Sequence, residues 1–348
     1  MTTSAYARRR APPPLVLCAE REYPLIQLEH IHKSFRVARR SAGMKAALHS
    51  FLHREYTTIH ALDDLSFTIG DGEIVGYIGP NGAGKSSTIK VMSGILTPDS
   101  GTCRINGRIP WRQRIEHVRE IGVVFGQRSQ LWWDVPVIDS FSLLQSIYSI
   151  PDTLYRQNLE ELTQLLHLEE LLRTPTRQLS LGQRMRCEIA AALLHSPKIL
   201  FLDEPTIGLD AVSKLAVRSF IRELNQNKGT TVLLTTHDMQ DIEALAQRIL
   251  LIGRGRLLLD GSLQDLRRRF ATGRILTLAY EGGALPQLPG IRVLTQEPGH
   301  ARLALDTTCT STADAIKSLS QQLSITDIAV EAPTAEEMVV ALYKEYQI

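Results

Sequence analysis

The segment Glu73–Ser87 reads EIVGYIGPNGAGKSS, and it is the part of the sequence that most clearly indicates the fold. Its apolar first part is typical of a short buried strand, and the eight positions before Ser87 match the pattern G-x-x-x-x-G-K-[S/T]. Backbone N–H groups of such a loop converge on phosphates, and the positive end of the following helix adds to the attraction. The expected phosphate-binding residues are Gly79, Pro80, Asn81, Gly82, Ala83, Gly84, Lys85, Ser86 and Ser87.

Three residues of this loop have distinct predicted tasks. Lys85 is expected to pair with phosphate oxygens, and the Ser86 hydroxyl is expected to bind Mg²⁺. Ser87 is expected to support the side of the α-phosphate. An accidental glycine-rich turn is the alternative, but the order of strand, loop and helix is the one that phosphate binding requires. The segment therefore predicts a nucleoside triphosphate site.

Two adjacent carboxylates, Asp203 and Glu204, end the apolar run ILFLDE. In an α/β sheet the carboxyl ends of the strands border the ligand crevice. We therefore expect Asp203 to hold Mg²⁺, through a water molecule, and Glu204 to polarise the attacking water. A solvated turn would be the better interpretation if this acidic pair stood alone.

Two further polar residues follow strand-like runs and are candidates for the same crevice. His237 ends TVLLTTH and would lie beside Asp203 and Glu204 if the two strands are neighbours. It could then contact the γ-phosphate and the attacking water. Gln127 follows GVVFG and could reach Mg²⁺ and the water. Either residue alone would be unremarkable.

The composition excludes several other classes of protein. The 348 residues suggest two domains, and a formal net charge of +2 gives no overall field that would attract nucleic acid, so we expect no nucleic-acid partner. The four cysteines are isolated, which argues against a zinc site or a disulfide scaffold and fits a reducing cytosol. No stretch approaches about 18 uninterrupted apolar residues, so we expect no membrane-spanning helix.

Changes of pattern divide the chain into a leader and two domains. Residues 1–23 carry arginines and prolines and are expected to form a flexible leader. Residues 24–255 alternate strand-like and helix-like segments, which predicts an α/β domain with a mostly parallel sheet. Leucines at helical spacing over residues 155–173 predict a helical insertion within it. Residues 256–348 contain short strand and helix candidates and are expected to form a small α+β C-terminal domain.

Leu179–Gln183 reads LSLGQ and resembles LSGGQ, the signature sequence of the ABC family of ATPases. The resemblance covers about residues 25–255 and rests on six motifs in the family's order. These are the Walker A loop at Gly79–Ser87, the Q-loop glutamine Gln127, the signature, the Walker B end at Phe201–Glu204, the D-loop at Gly208–Asp210 and the switch histidine His237. The resemblance implies a P-loop NTPase of the ABC type, with a mostly parallel core, an antiparallel β subdomain and a helical subdomain at about residues 128–190.

The resemblance also assigns residues to the signature and the D-loop. Ser180 and Gly182 are implied to donate hydrogen bonds to the γ-phosphate of ATP. Gln183 and the D-loop residue Asp210 are implied to belong to the same nucleotide site. Leu181 stands where the family usually has glycine, and we expect its side chain to point away from the nucleotide.

An aromatic residue near the start of the domain stacks on adenine in the family. The segment HKSF makes Phe35 the candidate in this chain, and Tyr56 is a weaker one. Stacking of a base on an aromatic ring typically contributes roughly 1–3 kcal/mol. Its loss should therefore weaken ATP binding without abolishing it.

Each motif occurs once, and this implies a dimer. In the family the signature of one subunit closes over the Walker A loop of the other, so one chain holds two half-sites. Two identical chains would form two composite sites for ATP and Mg²⁺. The family further implies permease subunits in the membrane as partners, reached from the cytoplasmic face. The motif pattern resembles the ATPases of exporters for drugs, polysaccharides and sodium.

Two other functions compete with transport. A soluble ABC ATPase acting on ribosomes or DNA usually carries two cassettes or a long coiled coil, and this sequence contains neither. A GTPase or a small-molecule kinase would lack LSLGQ and the histidine at position 237. The sequence also has no N-K-x-D motif for reading a guanine base. Transport therefore remains the expected function.

Overall fold

A computed structural model describes residues 24–38, 56–126, 128–270, 273–282 and 285–347. The leader predicted at residues 1–23 and the candidate Gln127 lie outside this description. The strands are β1 Ile26–Ala38, β2 Tyr56–Ile69, β3 Ile74–Ile78, β4 Ser100–Ile105, β5 Ile121–Phe125, β6 Ile199–Asp203, β7 Thr231–Thr235, β8 Arg248–Gly253, β9 Arg256–Ser262, β10 Gly273–Glu281, β11 Ile291–Glu297, β12 His300–Asp306 and β13 Ser324–Glu331.

The α-helices alternate with these strands in the first two thirds of the chain. They are α1 Lys85–Met92, α2 Arg114–Val118, α3 Val137–Tyr148, α4 Asp152–Leu166, α5 Leu181–Leu193, α6 Ala211–Lys228, α7 Met239–Leu245, α8 Leu263–Arg269, α9 Thr312–Gln322 and α10 Ala335–Glu345. Among the described residues, none of these helices combines the length and the apolar character that crossing a membrane requires.

The central sheet has the strand order β5-β6-β7-β3-β8-β9. Its first five strands are parallel, and β9 pairs antiparallel with β8. Both faces are covered, as β6 illustrates: Leu200 and Leu202 pack into one core, while Ile199 and Phe201 pack into the core on the opposite face. Such two-sided burial explains why β6 is apolar throughout rather than alternating.

A second, antiparallel sheet has the order β2-β1-β4 and shares a core with α1 and one face of the central sheet. The β1 strand continues to Ala38 because β2 pairs with it as far as that residue. Irregular register lies between Leu28 and Ser34 in this pairing. The extension places Phe35 on a paired strand.

Helices α3 and α4 and the beginning of α5 form the predicted helical subdomain. The helix expected over residues 155–173 ends at Leu166, because His167 adopts the left-handed conformation with φ 51° and caps it. The predicted architecture of a mostly parallel core, an antiparallel subdomain and a helical subdomain is confirmed.

A four-stranded antiparallel sheet, in the order β11-β12-β10-β13, carries α9 on one face and has its own core. This is the predicted small α+β unit. The division between residues 255 and 256 stays a prediction. Three elements after residue 255 pack with the ATPase domain. Strand β9 extends the central sheet, and helices α8 and α10 contribute Leu263, Leu266 and Leu342 to the core of that sheet.

Candidate functional site: the nucleotide loop and its carboxylates

The glycine-rich loop joins β3 to α1 and leaves the N-terminus of α1 open. Gly84 precedes the helix with φ 110°, a left-handed conformation that favours glycine, and no side chain caps the helix. A Cβ on Gly84 would also lie 2.5 Å from the carbonyl oxygen of Ala61 on β2. The first N–H groups of a helix need acceptors, and here none is supplied by a capping side chain. The arrangement suits a phosphate group.

Lys85 is only 7% exposed and lies against its own loop. Its Nζ donates to the carbonyl oxygens of Gly79, at 2.6 Å, and Pro80, at 3.2 Å. Burial lowers the pKa of the Lys85 ammonium, and the carboxylates of Glu204 and Asp203 act in the opposite direction. The predicted phosphate lysine and the predicted carboxylates therefore lie within electrostatic reach of one another.

Asp203 lies at the end of β6, where Thr235 of β7 is its register partner. Thr235 Oγ1 donates to Asp203 Oδ1 at 2.6 Å and fixes the carboxylate. Thr235 also accepts from the backbone N–H of Glu204, at 3.0 Å through its carbonyl and 3.1 Å through Oγ1. Sequence reasoning missed this threonine, because only the pairing of β6 with β7 reveals it.

Glu204 and His237 are in direct contact. His237 Nε2 lies 2.6 Å from Glu204 Oε1, and the histidine side chain is the more exposed of the two. Glu204 adopts φ 57°, a left-handed conformation that is uncommon outside glycine. The sequence predicted that Glu204 and His237 would lie close together if the strands before them are neighbours. These strands, β6 and β7, are adjacent in the sheet. A cavity of about 280 Å³ opens beside this pair.

Gly126, the residue before Gln127, leads the chain past the two carboxylates. Its N–H donates to the carbonyl oxygen of Asp203 at 2.8 Å. A Cβ at this position would lie 2.6 Å from the carbonyl oxygen of Glu204, so no larger residue fits without a shift. Gly126 therefore lies at the edge of the site.

The residues after Gln127 are held by Glu188 of α5, which sequence reasoning also missed. Its carboxylate accepts from Ser129 Oγ and, at 3.1 Å, from the N–H of Gln130. Burial raises the pKa of Glu188, while these hydrogen bonds favour its ionised form. The segment after the site is thereby tied to the helix that carries the signature.

The signature lies at the N-terminus of α5, where a capping box is formed. Ser180 Oγ accepts from the N–H of Gln183 at 3.2 Å, and Gln183 Oε1 accepts from the N–H of Ser180 at 2.8 Å. Gly182 is buried, and a Cβ there would lie 2.5 Å from Ser213 Oγ. Among the described residues, no hydrogen bond or ion pair joins Ser180, Gly182 or Gln183 to the glycine-rich loop.

Asp210 caps α6 beside the signature. Its carboxylate accepts from the N–H of Ser213 at 2.9 Å and from Ser213 Oγ at 2.7 Å, and the backbone hydrogen bond is the main reason that its pKa is lowered. The exposed side chain of Leu181 lies against the same region, since a Cβ on Gly208 would come within 2.8 Å of Leu181 Cδ2. The structure thus groups the signature with the D-loop.

Phe35 and Tyr56 both lie on the antiparallel sheet, 39% and 48% exposed. Phe35 pairs with Ile59, two residues before Ala61, the residue whose carbonyl approaches Gly84. Tyr56 pairs with Ala38, three residues farther from Ala61 along β2. The register therefore brings Phe35 nearer to the nucleotide loop than Tyr56.

A buried network supports the segment around His237. Asp241, with no exposed surface, accepts from Arg218 Nε at 2.6 Å, from Thr236 Oγ1 at 2.9 Å and from Thr206 Oγ1. It therefore joins the residues that follow both β6 and β7. No local motif marks Asp241, because its partners are distant along the chain.

The oxygen donors expected for Mg²⁺ fit that ion. Mg²⁺ prefers carboxylate, hydroxyl and water oxygens, and it is held by few protein ligands. Asp203 offers such an oxygen at the end of β6, and Ser86 lies in the first turn of α1. Within the described residues there is no cluster of three or more His, Cys, Asp or Glu residues that would suit a different metal.

Comparison with known protein families gives two matches along the chain. A family model described as ABC transporter matches residues 62–207. A second model, described as ATP-binding protein DrrA1-3-like, C-terminal domain, matches residues 261–340. The first covers the glycine-rich loop, the signature and the acidic pair, and the second covers the four-stranded sheet, α8, α9 and the beginning of α10.

Individual proteins support the same family. The daunorubicin resistance ATP-binding protein DrrA3 of Streptomyces coeruleorubidus is 31% identical over 296 residues, which cover 82% of this chain and 92% of that protein. The probable sulfate/thiosulfate import ATP-binding protein CysA of Chlorella vulgaris is 35% identical over 215 residues, 62% of this chain and 90% of that protein.

A solved structure extends the likeness to three dimensions. It is the dimeric post-hydrolysis state of the ATP-binding cassette MJ0796 bound to ADP and Pi, with a TM-score of 0.56 and 25% identity. The similarity covers 68% of this chain and 98% of that chain. With an open helix N-terminus, paired carboxylates and a signature in the family's order, the chain therefore belongs to the ATP-binding proteins of ABC transporters and is an ATPase of the ABC type.

Proposed function

We propose that two copies of this ATPase close around two molecules of ATP with Mg²⁺ and thereby power the export of a substrate through membrane permease subunits. The observation that carries the proposal is the separation of two half-sites within one chain. The glycine-rich loop lies at an uncapped helix N-terminus, and Ser180 lies at another helix with no described hydrogen bond to that loop. A second copy supplies the missing half.

In each composite site the residues of one chain bind and position the triphosphate. Lys85 and the open N-terminus of α1 bind phosphate oxygens. Ser86, Asp203 and Gln127 would hold Mg²⁺, which when bound neutralises charge on the β- and γ-phosphate oxygens. Thr235 keeps the Asp203 carboxylate in place.

The carboxylate of Glu204 acts on the attacking water. It accepts a proton from that water as attack proceeds, and the contact with His237 fixes where the carboxylate points. His237 then contacts the γ-phosphate and the water. Phe35 stacks on the adenine ring, and the Ser180 hydroxyl of the second copy donates to the γ-phosphate.

Mixing two inactive variants tests the composite site. Lys85→Ala removes the phosphate lysine, and Ser180→Asp places a negative charge where the γ-phosphate binds. Each variant alone should lack ATPase activity. In a mixed dimer, one site combines both defects and the other is intact. An equimolar mixture should therefore regain roughly a quarter of the wild-type rate, since half of the dimers are mixed and each has one intact site.

The outcome separates shared sites from self-contained ones. If each chain formed a complete site by itself, the mixture would stay inactive. Ser180→Asn is the matched control for Ser180→Asp, because it preserves a capping side chain without adding charge. If Ser180→Asp and Ser180→Asn hydrolyse ATP at the same rate, the side chain at position 180 does not lie beside the γ-phosphate.

The proposed direction of transport is export. It is supported by the DrrA1-3-like model at residues 261–340 and by the relative named for daunorubicin resistance, whose similarity extends into this region. The permease would be contacted from the cytoplasmic face, and the exposed Trp132 and Trp133 after position 127 are candidates for that contact. Nucleic acid is not a proposed partner.

Affinity purification from membranes tests the partner. The chain should co-purify with a polytopic membrane protein, whereas co-purification with ribosomes or DNA would favour the soluble alternative. Direction is tested with a labelled compound panel that includes daunorubicin. Export predicts ATP-driven accumulation in inside-out vesicles. Accumulation only in right-side-out vesicles loaded with ATP would indicate import.

A further inference from the structure

Helix α10 has two faces with different surroundings. One face is buried in the core of the central sheet, where Met338 and Leu342 share a hydrophobic cluster with Leu263 and Leu266 of α8. The other face borders a cavity of about 560 Å³ that is walled on its far side by strands β10, β11 and β12. The cavity therefore lies between the ATPase core and the C-terminal sheet.

The cavity has an apolar floor and a cationic rim. Ile275, its register partner Ala304 and Met338 contribute apolar surface to it. The charged side chains at its edge are Arg274, Arg292, Arg302, Lys344, Glu336 and Glu337. Arg274 donates to the carbonyl oxygen of Gly273 at 2.8 Å, and the remaining three cations against the two carboxylates leave a formal excess of one positive charge.

The carboxylates of Glu336 and Glu337 do not neutralise all the positive charge at the rim of the cavity. Glu337 is paired with Arg302, whose Nη2 lies 2.8 Å from Glu337 Oε1. In the part of the chain that the structure describes, Arg292 and Lys344 form no ion pair. They lie on opposite walls, one on β11 and one on α10, so that one anionic group between the walls could contact both.

We propose that this cavity is a binding site for a small amphipathic organic anion, with an apolar body and one carboxylate, sulfonate or phosphate group. The volume falls within the range of about 300–1,000 Å³ that is typical of small-molecule sites. The apolar body would lie on Ile275, Ala304 and Met338, while Arg292 and Lys344 bind the anionic group. The proposal goes beyond ATP hydrolysis and does not depend on the direction of transport.

The site is positioned to act on the nucleotide loop. At the end of α10, the carbonyl oxygen of Gln347 accepts from Arg254 Nη2 at 2.7 Å, and Tyr346 donates to the carbonyl oxygen of Leu258 at 3.3 Å. The residue after Arg254, Gly255, donates to the carbonyl oxygen of Ala83 at 2.8 Å. A ligand that shifts α10 would thus act on the turn that contacts the phosphate-binding loop, and it should alter ATP affinity.

Two fluorescent probes test the site in the full chain. The anionic probe is 8-anilinonaphthalene-1-sulfonate, and the neutral probe is N-phenyl-1-naphthylamine, which has a similar aromatic body without the sulfonate. Saturable binding of the anion is expected at one site per chain. Arg292→Glu and Lys344→Glu should each weaken it about fivefold, as expected for a partly exposed ion pair, and leave the neutral probe unaffected.

The matched control is Lys317→Glu, which reverses an exposed cation on α9, on the other side of the same sheet. It should not change binding of the anion. Ala304→Phe, which fills the cavity, should abolish binding of both probes, and its thermal unfolding shows whether the fold is retained. Equal binding of the anion to wild type, Arg292→Glu and Lys344→Glu would overturn the proposal.

The effect on the nucleotide loop is measured separately by calorimetric titration of ATP with and without saturating anion. A change in ATP affinity that is lost in Ala304→Phe is expected. Unchanged ATP affinity in the presence of bound anion would overturn the coupling between the cavity and the loop.

Discussion

The N-termini of α1 and α5 are built in opposite ways, although both are expected to meet the phosphates of ATP. At α1 no side chain caps the helix, Gly84 is left-handed, and the adjacent Lys85 is buried. At α5 a reciprocal capping box between Ser180 and Gln183 satisfies the helix from within the chain. The N–H groups at the α1 terminus are therefore free to bind an anion, whereas those at the α5 terminus are partly satisfied by the capping box.

The difference teaches how one chain can hold two half-sites with different tasks. An uncapped terminus with a buried cation favours binding of an anion, so α1 is suited to hold nucleotide in a single subunit. In the capping box the oxygen of Ser180 accepts a hydrogen bond and its hydroxyl proton stays available to donate. The α5 terminus can therefore donate to a phosphate, which in the proposed dimer is bound by the other subunit.

The largest effect is expected from Glu204→Gln, which leaves both helix termini intact. The variant should bind ATP normally but turn over roughly 10²–10⁴ times more slowly, because the amide cannot accept a proton from water. ATP-bound dimers should then accumulate and be visible by size-exclusion chromatography with ATP. Normal turnover would show that Glu204 is not the base.

Lys85→Ala tests the binding role of the α1 terminus. Hydrogen bonds to charged groups contribute about 1.5–3 kcal/mol, so ATP affinity should fall by roughly one to two orders of magnitude. Isothermal titration calorimetry measures this directly. Lys90→Ala on the same helix, where Lys90 is not part of the loop, is the control and should bind ATP like the wild type.

Phe35→Ala extends the comparison to the base. Loss of one stacked ring typically costs about 1–3 kcal/mol, which corresponds to ATP binding weaker by about 5- to 150-fold. Tyr56→Ala provides the matched control, since Tyr56 is also an exposed aromatic residue of this sheet but lies farther from Ala61 in register. If Tyr56→Ala weakens binding more than Phe35→Ala, the stacking residue has been assigned wrongly.

The smallest effect is expected on stability, from Ser180→Ala at the α5 terminus. Removing an N-cap side chain costs about 1 kcal/mol, so the free energy of unfolding in urea should fall by that amount. Ser180→Asn should be nearly neutral, because asparagine caps as well as serine. Equal destabilisation by both variants would mean that the capping box contributes little.

The local motifs were predictable from the sequence because their chemistry lies in adjacent residues. The loop from Gly79, the signature at Ser180 and the acidic pair after β6 are contiguous patterns. The contact between His237 and Glu204 was predictable only conditionally, since it depends on β6 and β7 being neighbours. Strand order in a parallel sheet is not encoded in spacing along the chain.

Residues that act through tertiary contacts gave no usable signal. Thr235 is one of several threonines after apolar runs, and only strand register shows that it holds Asp203. In the sequence Asp241 and Glu188 look like ordinary acidic residues of a helix. Their hydrogen-bond partners are distant along the chain and meet them only in the folded protein. Likewise, nothing in the sequence of α10 indicated that it packs into the core of the central sheet.

The packing of α10 has a consequence for how the protein is made. Leu342 shares a core with Leu200 and Leu202 of β6, so residues separated by most of the C-terminal half must meet before that core is filled. Domains generally fold as units during synthesis, N-terminal parts first. Here the nucleotide loop leaves the ribosome early, yet the cluster that contains Leu200 and Leu202 gains its last members only when α10 has been synthesised. Until then, Leu263 and Leu266 of α8 lack the helix that packs against them.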